Sequence, residues 1–572
     1  MDWTELQKER LAAARGDIPA DLVFSGGQVV NLFSGALEEL DVAVHHGRVV
    51  GLGAYQGRQR VELRGAYLAP AFVEGHIHVE SSLLAPAELA KAMVPHGTGA
   101  LVGDPHEIAN VLGLAGVRAM LEAGRDLPLD FFFMAPSCVP ATPLEDSGAV
   151  LDAGDLEELA RHERILGLAE MMNFPGALGG DPGVLAKLKA FWGRPIDGHA
   201  PLLSGRELNA YLTAGPDSDH EALERQEGTE KLARGMWLMI RQGTSAKNLA
   251  ELLPLVNPAT ERRCLLVGDD LQADDLARRG HLDHLLRLAV GHGLDPITAL
   301  RLVTLNPARR FGLPRRGAVA PGWRADLVVL TDLKDFRVRA VYHAGELVAQ
   351  EGRCLHPCAT PFPEVARGSV RVAPLGPGSF RVAVEGRRAR VIGLLPDQLV
   401  TESLVEDTPQ RDGFLTADPA RDLARLAVVE RHRANGRIGL GLVKGLGLRE
   451  GALASTVAHD SHNLMVAGMD DASMLCAARR LVELGGGWVV TRGDQVLAEL
   501  PLPLAGLMSD QPLDTVLAGL QGLSSAVGRV CAHPEPFMPL SFLALPVIPH
   551  LKISDRGLID VDAFAPVGLF QR

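Results

Sequence analysis

The segment Phe72-Val73-Glu74-Gly75-His76-Ile77-His78 sets two imidazoles two residues apart. In an extended segment such residues project to the same side, so His76 and His78 at a strand end reach one cation. Paired strand histidines also occur in ordinary surroundings, so the pair gains its meaning from what recurs at other expected strand ends. Glu170 closes Ile165-Leu166-Gly167-Leu168-Ala169, and His199 closes Pro195-Ile196-Asp197-Gly198. His220 sits in Asp217-Ser218-Asp219-His220-Glu221, and Asp269 follows Cys264-Leu265-Leu266-Val267-Gly268. Four imidazoles and two carboxylates suffice for two divalent cations sharing a bridge, an arrangement that holds its ions about 3.5 to 4 Å apart and lowers the pKa of a shared water toward neutrality.

The elements that must position these residues follow from the apolar rhythm. Short apolar runs alternate with helical stretches from AYLAPAFVEGHIH through SLLAPAELAKAMVPHG, TGALVGDPHE and the helical IANVLGLAGVRAMLEAG. The alternation continues through LDFFFMAP, RILGLAEMMN, RPIDGHA, RCLLVGDD and the helical HLDHLLRLAVGHG. That rhythm predicts an α/β fold of repeated β-α units with a parallel sheet. At this length the expected architecture is a TIM-type (β/α)8 barrel, which gathers all its strand ends at one mouth. On the flanks, DLVFSGGQVVN with DVAVHHGRVVGLG, and later GAVAPGWRADLVVL with FRVRAVYHAGELVAQEG, read as short Gly-punctuated strands whose two halves form one small sheet domain. Beyond a Pro-punctuated joint at His356 to Glu364 the chain reads as α+β: RVAVEGRRARVIGLLP is strand-like, DDASMLCAARRLVELGGG is an amphipathic helix and GWVVTRGDQVLAEL a hairpin. The expected division is 1–66 for an N-terminal helix and the first part of the small β domain, 67–312 for the barrel, 313–360 for the second part of the β domain, and 361–572 for a C-terminal α+β domain.

The chain has 572 residues, and 57 Lys+Arg against 70 Asp+Glu give a formal charge of −13, so there is no electrostatic reason to bind nucleic acid or an anionic membrane surface. A 47% hydrophobic share is enough for large cores and excludes global disorder. The start MDWTELQKERLAAARGD is charged and helix-like, and no run of about 18 apolar residues follows anywhere, which disfavours export and membrane spanning. Six scattered cysteines without a C-x-x-C pair fit a reducing, cytoplasmic setting.

The order H-x-H, Glu, His, His, Asp at successive strand ends, flanked by a split β unit, resembles the amidohydrolase superfamily. More narrowly, HIHVESSLLAP, GDPHEIANVLG, SCVPATPLEDSGA, LAEMMNFPGAL, DGHAPLLSGRELNAYL, SDHEA, RGMWLMIRQGTSAKNL, NPARRFGL and PGWRADLVVL are similar to the adenine deaminase family of bacterial nucleobase type. IGLLPDQLVTE, AHDSHNLMVAG, ELPLPLAGLMSD and PLSFLALPVIPHLKISDRGLIDV resemble that family's C-terminal domain, so the likeness covers nearly the whole chain. By position it implies His76, His78 and Asp269 around one metal, His199 and His220 around the other, and Glu170 bridging. It also implies two divalent ions, Mn2+ or Fe2+, adenine and water as substrates, a homo-oligomer (dimer or larger), and hydrolytic deamination to hypoxanthine and ammonia in purine salvage and nitrogen release. Asp269 would take the proton of the attacking water and deliver it to the departing amine. Two departures from the pattern, Gly268 and Gly99 where Thr is more usual, remove no ligand.

Other residues carry two readings each. Asp270 is either a hydrogen-bond partner of the purine edge or a cap of the following helix. His106 and Glu107 either orient substrate or open the helix IANVLGLAG with Asp104. Glu80, Ser81 and Ser82 either face the mouth or form a solvated turn. Asn173 is a candidate partner behind a ligand. His459-Asp460-Ser461-His462-Asn463 is either a tight hydrogen-bonded connection or a lid or metal contact. The zinc nucleobase deaminase signature is excluded, because H-x-E occurs at His78-Val79-Glu80 and His533-Pro534-Glu535 without the P-C-x-x-C it requires. Two alternatives stand beside adenine deamination: the same chemistry on another aminopurine or a cyclic amide, and a non-catalytic purine-binding paralogue.

Overall fold

Strands β1 (Phe72–Ile77), β2 (Thr98–Gly103), β3 (Asp130–Ala135), β4 (Ile165–Met171) and β5 (Ile196–Gly198) form one parallel sheet in sequential order. Strands β6 (Ser218–Asp219), β7 (Trp237–Arg241) and β8 (Cys264–Val267) form a second. The two sheets close on each other at both seams. At one, Asp217 N donates to Ile196 O at 3.0 Å; at the other, Asp269 N donates to His76 O at 2.9 Å beside a parallel bridge from Ile77 to Asp269. The result is the expected barrel, with the C-terminal strand ends at one mouth. The computed structural model describes residues 2–244, 246–396 and 398–571, so Ser245 of RGMWLMIRQGTSAKNL and Asp397 of IGLLPDQLVTE lie outside them.

Strand periodicity sorts the barrel core into two layers. Val73, Ala100, Val102, Met134, Ala169, Met239, Leu265 and Val267 pack together with Phe311 and Leu313 in one cluster. Their neighbours Phe72, Leu101, Phe133, Leu168, Ile240 and Leu266 join the larger cluster that includes the surrounding helices. One expected helix is two: IANVLGLAGVRAMLEAG divides into His106–Leu112 and Leu114–Ala123, with Gly113 between them at φ 61°, ψ −143°. That conformation is open to glycine and closed to residues with a Cβ, so the chain turns there without leaving the helical face.

The flanks meet as the patterning implied. Leu327–Leu330 pairs antiparallel with Tyr67–Pro70, which pairs parallel with Gln28–Asn31, inside a seven-stranded sheet drawn from both ends of the barrel. A four-stranded sheet of residues 20–62 completes this part, with the helix Trp3–Arg15 packed on it. The C-terminal region carries a nine-stranded sheet, the helix Asp471–Leu484 capped by Asp470, and the helix Leu513–Val530. It sits against the barrel mouth: Asn463 Nδ2 donates to Asp146 O at 2.7 Å, Ser554 Oγ to Leu144 O at 2.9 Å, and Ser509 N to Leu83 O at 2.8 Å. No helix among the described residues is long and apolar enough to cross a membrane.

Candidate active site

The six strand-end residues converge. His76 lies at the end of β1 and His78 just after it, Glu170 is the penultimate residue of β4, His199 follows β5, His220 follows β6, and Asp269 follows β8. Asp269 Oδ1 lies 3.4 Å from His76 Nε2 and 3.2 Å from His78 Nε2. Glu170 Oε1 is 3.3 Å from His78 Nε2, while its Oε2 is 2.6 Å from His199 Nδ1 and 3.2 Å from His220 Nε2. Glu170 therefore touches imidazoles on both sides of the cluster. All six side chains are buried.

Burial opposes the charge on Glu170, but His220, His199 and His78 outweigh it and hold the carboxyl well below its ordinary range. Burial likewise opposes the charge on Asp269, and His76, His78 and Arg241 reverse the balance. The backbone under the ligands is fixed by a further carboxylate. Glu74 accepts from His76 N at 2.9 Å through one oxygen and from Gly268 N at 2.9 Å through the other, so it ties the ends of β1 and β8 together. A Cβ at Gly268 would stand 3.0 Å from Glu74 Oε2, so the glycine gives that carboxylate its room.

The donor set fits divalent cations. His76 Nε2, His199 Nε2 and His220 Nδ1 are buried and make no hydrogen bond among the described residues, and a buried polar atom left in that state needs another partner. His76, His78 and Asp269 present ligand atoms within 4.8 Å of one another, as do His76, Glu170 and His220. No thiol lines the cavity among the described residues, and beside the Met172 thioether the donors are imidazole nitrogens and carboxylate oxygens.

Asp270 lines the same cavity, with Oδ1 accepting from Ser81 Oγ at 2.5 Å. It does not cap the next helix, Ala273–Arg279, whose N-terminal flank is Gln272. His106 opens a helix and also borders the cavity: its backbone N–H donates to Asp104 Oδ1 at 3.1 Å, and its ring stands 3.5 Å from Glu170 Oε1. Glu107 lies behind that wall, its Oε1 2.9 Å from Ser81 Oγ. Glu80 and Ser82 are not among the lining residues. Glu80 accepts from Ile108 N at 3.1 Å, Ser82 Oγ donates to Val79 O at 2.6 Å, and both are buried, so neither belongs to a solvated turn. Burial pushes the Glu80 carboxyl up to about 8. Asn173 caps the helix Phe174–Gly179.

The histidine cluster after residue 458 is both a tight connection and part of the cavity. His459 and Asp460 line it, and the His459 ring stacks on Phe542 at 4.4 Å. Arg241 and Glu221 also line the cavity but were not anticipated as site residues. Arg241 ends the run WLMIR, so the strand-end rule that selected Glu170 would have selected it too.

A barrel of parallel strands with histidines and carboxylates at one mouth, flanked by a split β sheet, defines a metal-dependent amidohydrolase. The amidohydrolase family matches residues 67–348, and the adenine deaminase C-terminal domain matches residues 398–565. The chain is 47% identical to adenine deaminase 2 of Carboxydothermus hydrogenoformans, over 98% of this chain and 99% of the relative. It is 48% identical to an adenine deaminase of Desulfatibacillum aliphaticivorans over the same shares. The chain belongs to the adenine deaminase family.

Proposed function

We propose that this chain hydrolyses adenine to hypoxanthine and ammonia, in purine salvage and nitrogen release, with His76, His78 and Asp269 holding one divalent cation, His199 and His220 a second, and Glu170 between them. The supporting observation is the convergence of these six side chains, far apart in sequence, on one buried cavity in a chain of this family. Cations held there would supply Lewis-acid chemistry that lowers the pKa of a bound water toward neutrality. Asp269 accepts the water's proton and passes it to the departing amine. Arg241 fixes Asp269 for that exchange by donating to Oδ2 at 2.9 Å. Asp270 presents its carboxylate to the purine edge, and His106 borders the same space. Manganese or iron is the assignment favoured by a nitrogen and oxygen donor set together with family membership.

The test is metal content measured on the same sample as adenine turnover. Release of ammonia with the ultraviolet change to hypoxanthine is expected in protein loaded with manganese or iron; a loaded protein that leaves adenine untouched overturns the reading. A panel of other aminopurines and cyclic amides separates substrate from fold, because the fold does not set the pocket. The same reading carries a cytoplasmic homo-oligomer, which light scattering checks, and the division at residues 66, 312 and 360, which limited proteolysis checks.

A further inference from the structure

Ser81 Oγ stands between two carboxyl groups, 2.5 Å from Asp270 Oδ1 and 2.9 Å from Glu107 Oε1. A hydroxyl has one proton to donate. It serves the nearer acceptor, Asp270, and the contact to Glu107 then runs the other way, with a carboxylic acid proton donated to Ser81. Burial pushes the Glu107 carboxyl up, in keeping with that protonated form. Glu107 Oε2 faces His462 Nε2 at 3.6 Å, and both atoms are buried without a hydrogen-bond partner among the described residues. The separation is too long for a hydrogen bond, but the polarity of the contact is set. Ala458 N donates to His462 Nδ1 at 3.1 Å, so the neutral ring carries its proton on Nε2 and points it at Glu107. A cation bound through Nε2 would require the proton on Nδ1, against the Ala458 amide. The grouping of Glu107, His459 and His462 is therefore read as a polar contact rather than a cation site.

We propose that Ser81 and Glu107 are positioning residues that hold the Asp270 carboxylate against the cavity, Glu107 donating to Ser81 and Ser81 to Asp270, and that the His462 ring proton facing Glu107 across 3.6 Å lets the C-terminal region steady them and so influence how tightly the barrel binds its substrate. His462 is held at φ 52° and fully buried, with its own N–H donating to Ala458 O at 2.7 Å, which makes it a fixed anchor. None of the three lines the cavity, and Asp270 does. The inference rests on the adenine reading above and extends it to what orients the substrate-facing acceptor.

Steady-state kinetics on adenine, metal analysis and a crystal structure are measured for the parent protein and for Ser81→Ala, Ser81→Thr and His462→Gln. Ser81→Ala is expected to raise KM about tenfold or more while kcat changes much less, since one charge-assisted hydrogen bond to the binding group is lost. Ser81→Thr restores KM, and His462→Gln, which retains a donor, falls between parent and Ser81→Ala. Metal content stays at the parent value, and the Asp270 carboxylate is rotated away from its parental position in the Ser81→Ala crystal. An unchanged KM in Ser81→Ala overturns the proposal, as does an unmoved Asp270, or the loss of one bound ion in His462→Gln. If the parent itself leaves adenine untouched, the functional reading fails, and the position of Asp270 still decides this one. Should His462→Gln not fold, the two Ser81 variants carry the decision.

Discussion

Arg241 donates to Asp269 Oδ2 at 2.9 Å while a second guanidinium nitrogen holds Glu221 Oε2 at 2.8 Å, so one buried arginine spans two carboxylates of the site. The planar fork makes both contacts at once, which an ammonium cannot do with the same geometry. Arg241→Met leaves two buried carboxylates without this partner and frees the side chain assigned the proton exchange. Its kcat on adenine is expected to fall about a hundredfold, with Arg241→Lys between the two. Equal kcat in parent and Arg241→Met, measured at matched metal content, would show that Asp269 needs no such support.

Behind the His199 and His220 strand ends lies Lys231, fully buried, donating to Asp219 Oδ2 at 2.9 Å, Glu227 Oε1 at 2.5 Å and Ala200 O at 2.7 Å. Asp219 also accepts from Ala200 N at 2.9 Å, so the ion pair braces the loop that carries His199. Lys231→Met strands two buried carboxylates, Asp219 and Glu227, and breaking a buried pair costs about 3–5 kcal/mol. A lower urea midpoint with an unchanged slope is the expected result; a midpoint equal to the parent's would place the stability of this loop elsewhere.

Chelation should lower stability as well as activity. Buried imidazole nitrogens without a protein partner gain one when a cation binds, and a ligand bound only by the folded state stabilises it by about 2.7 kcal/mol at a hundredfold its Kd. Dialysis against a chelator is expected to reduce Tm, with recovery on adding manganese or iron back. Superimposable melting curves with and without chelator would mean that the six residues grip no ion.

What the sequence made legible depended on how local the signal was. His76, His78, Glu170 and Asp269 each close an apolar run, so strand period and barrel topology together place them at one mouth. The break at Gly113 was hidden because apolar spacing continues unchanged on both sides of it, and only its backbone conformation distinguishes two helices from one. The roles of Ser81 and His462 were beyond local reading for a different reason. Their partners, Asp270 and Glu107, lie far away in the chain, and no periodicity reports a contact between a barrel turn and a C-terminal loop.

At the other end of the barrel from its mouth, Asp130 opens β3 and meets the returning β segment, pairing with Arg316, with Arg324 Nη2 at 3.4 Å and with His343 Nε2 at 3.4 Å. Burial opposes its charge, but His343, Arg316 and Arg324 outweigh burial and hold the carboxyl well below its ordinary value of 3.8. A group whose value is lower in the folded state stabilises that state above its unfolded value and loses the contribution as pH falls through the folded one. Stability from Asp130 is thus fully present above about pH 5 and declines below about pH 4. Asp130→Asn should lower the unfolding free energy at pH 7 by about 2 kcal/mol and show a shallower decline in acid than the parent. Parallel stability curves for the two proteins between pH 7 and pH 3, as followed by denaturant titration at each pH, would remove this carboxylate from the account of how the barrel is fastened to its flanking sheet.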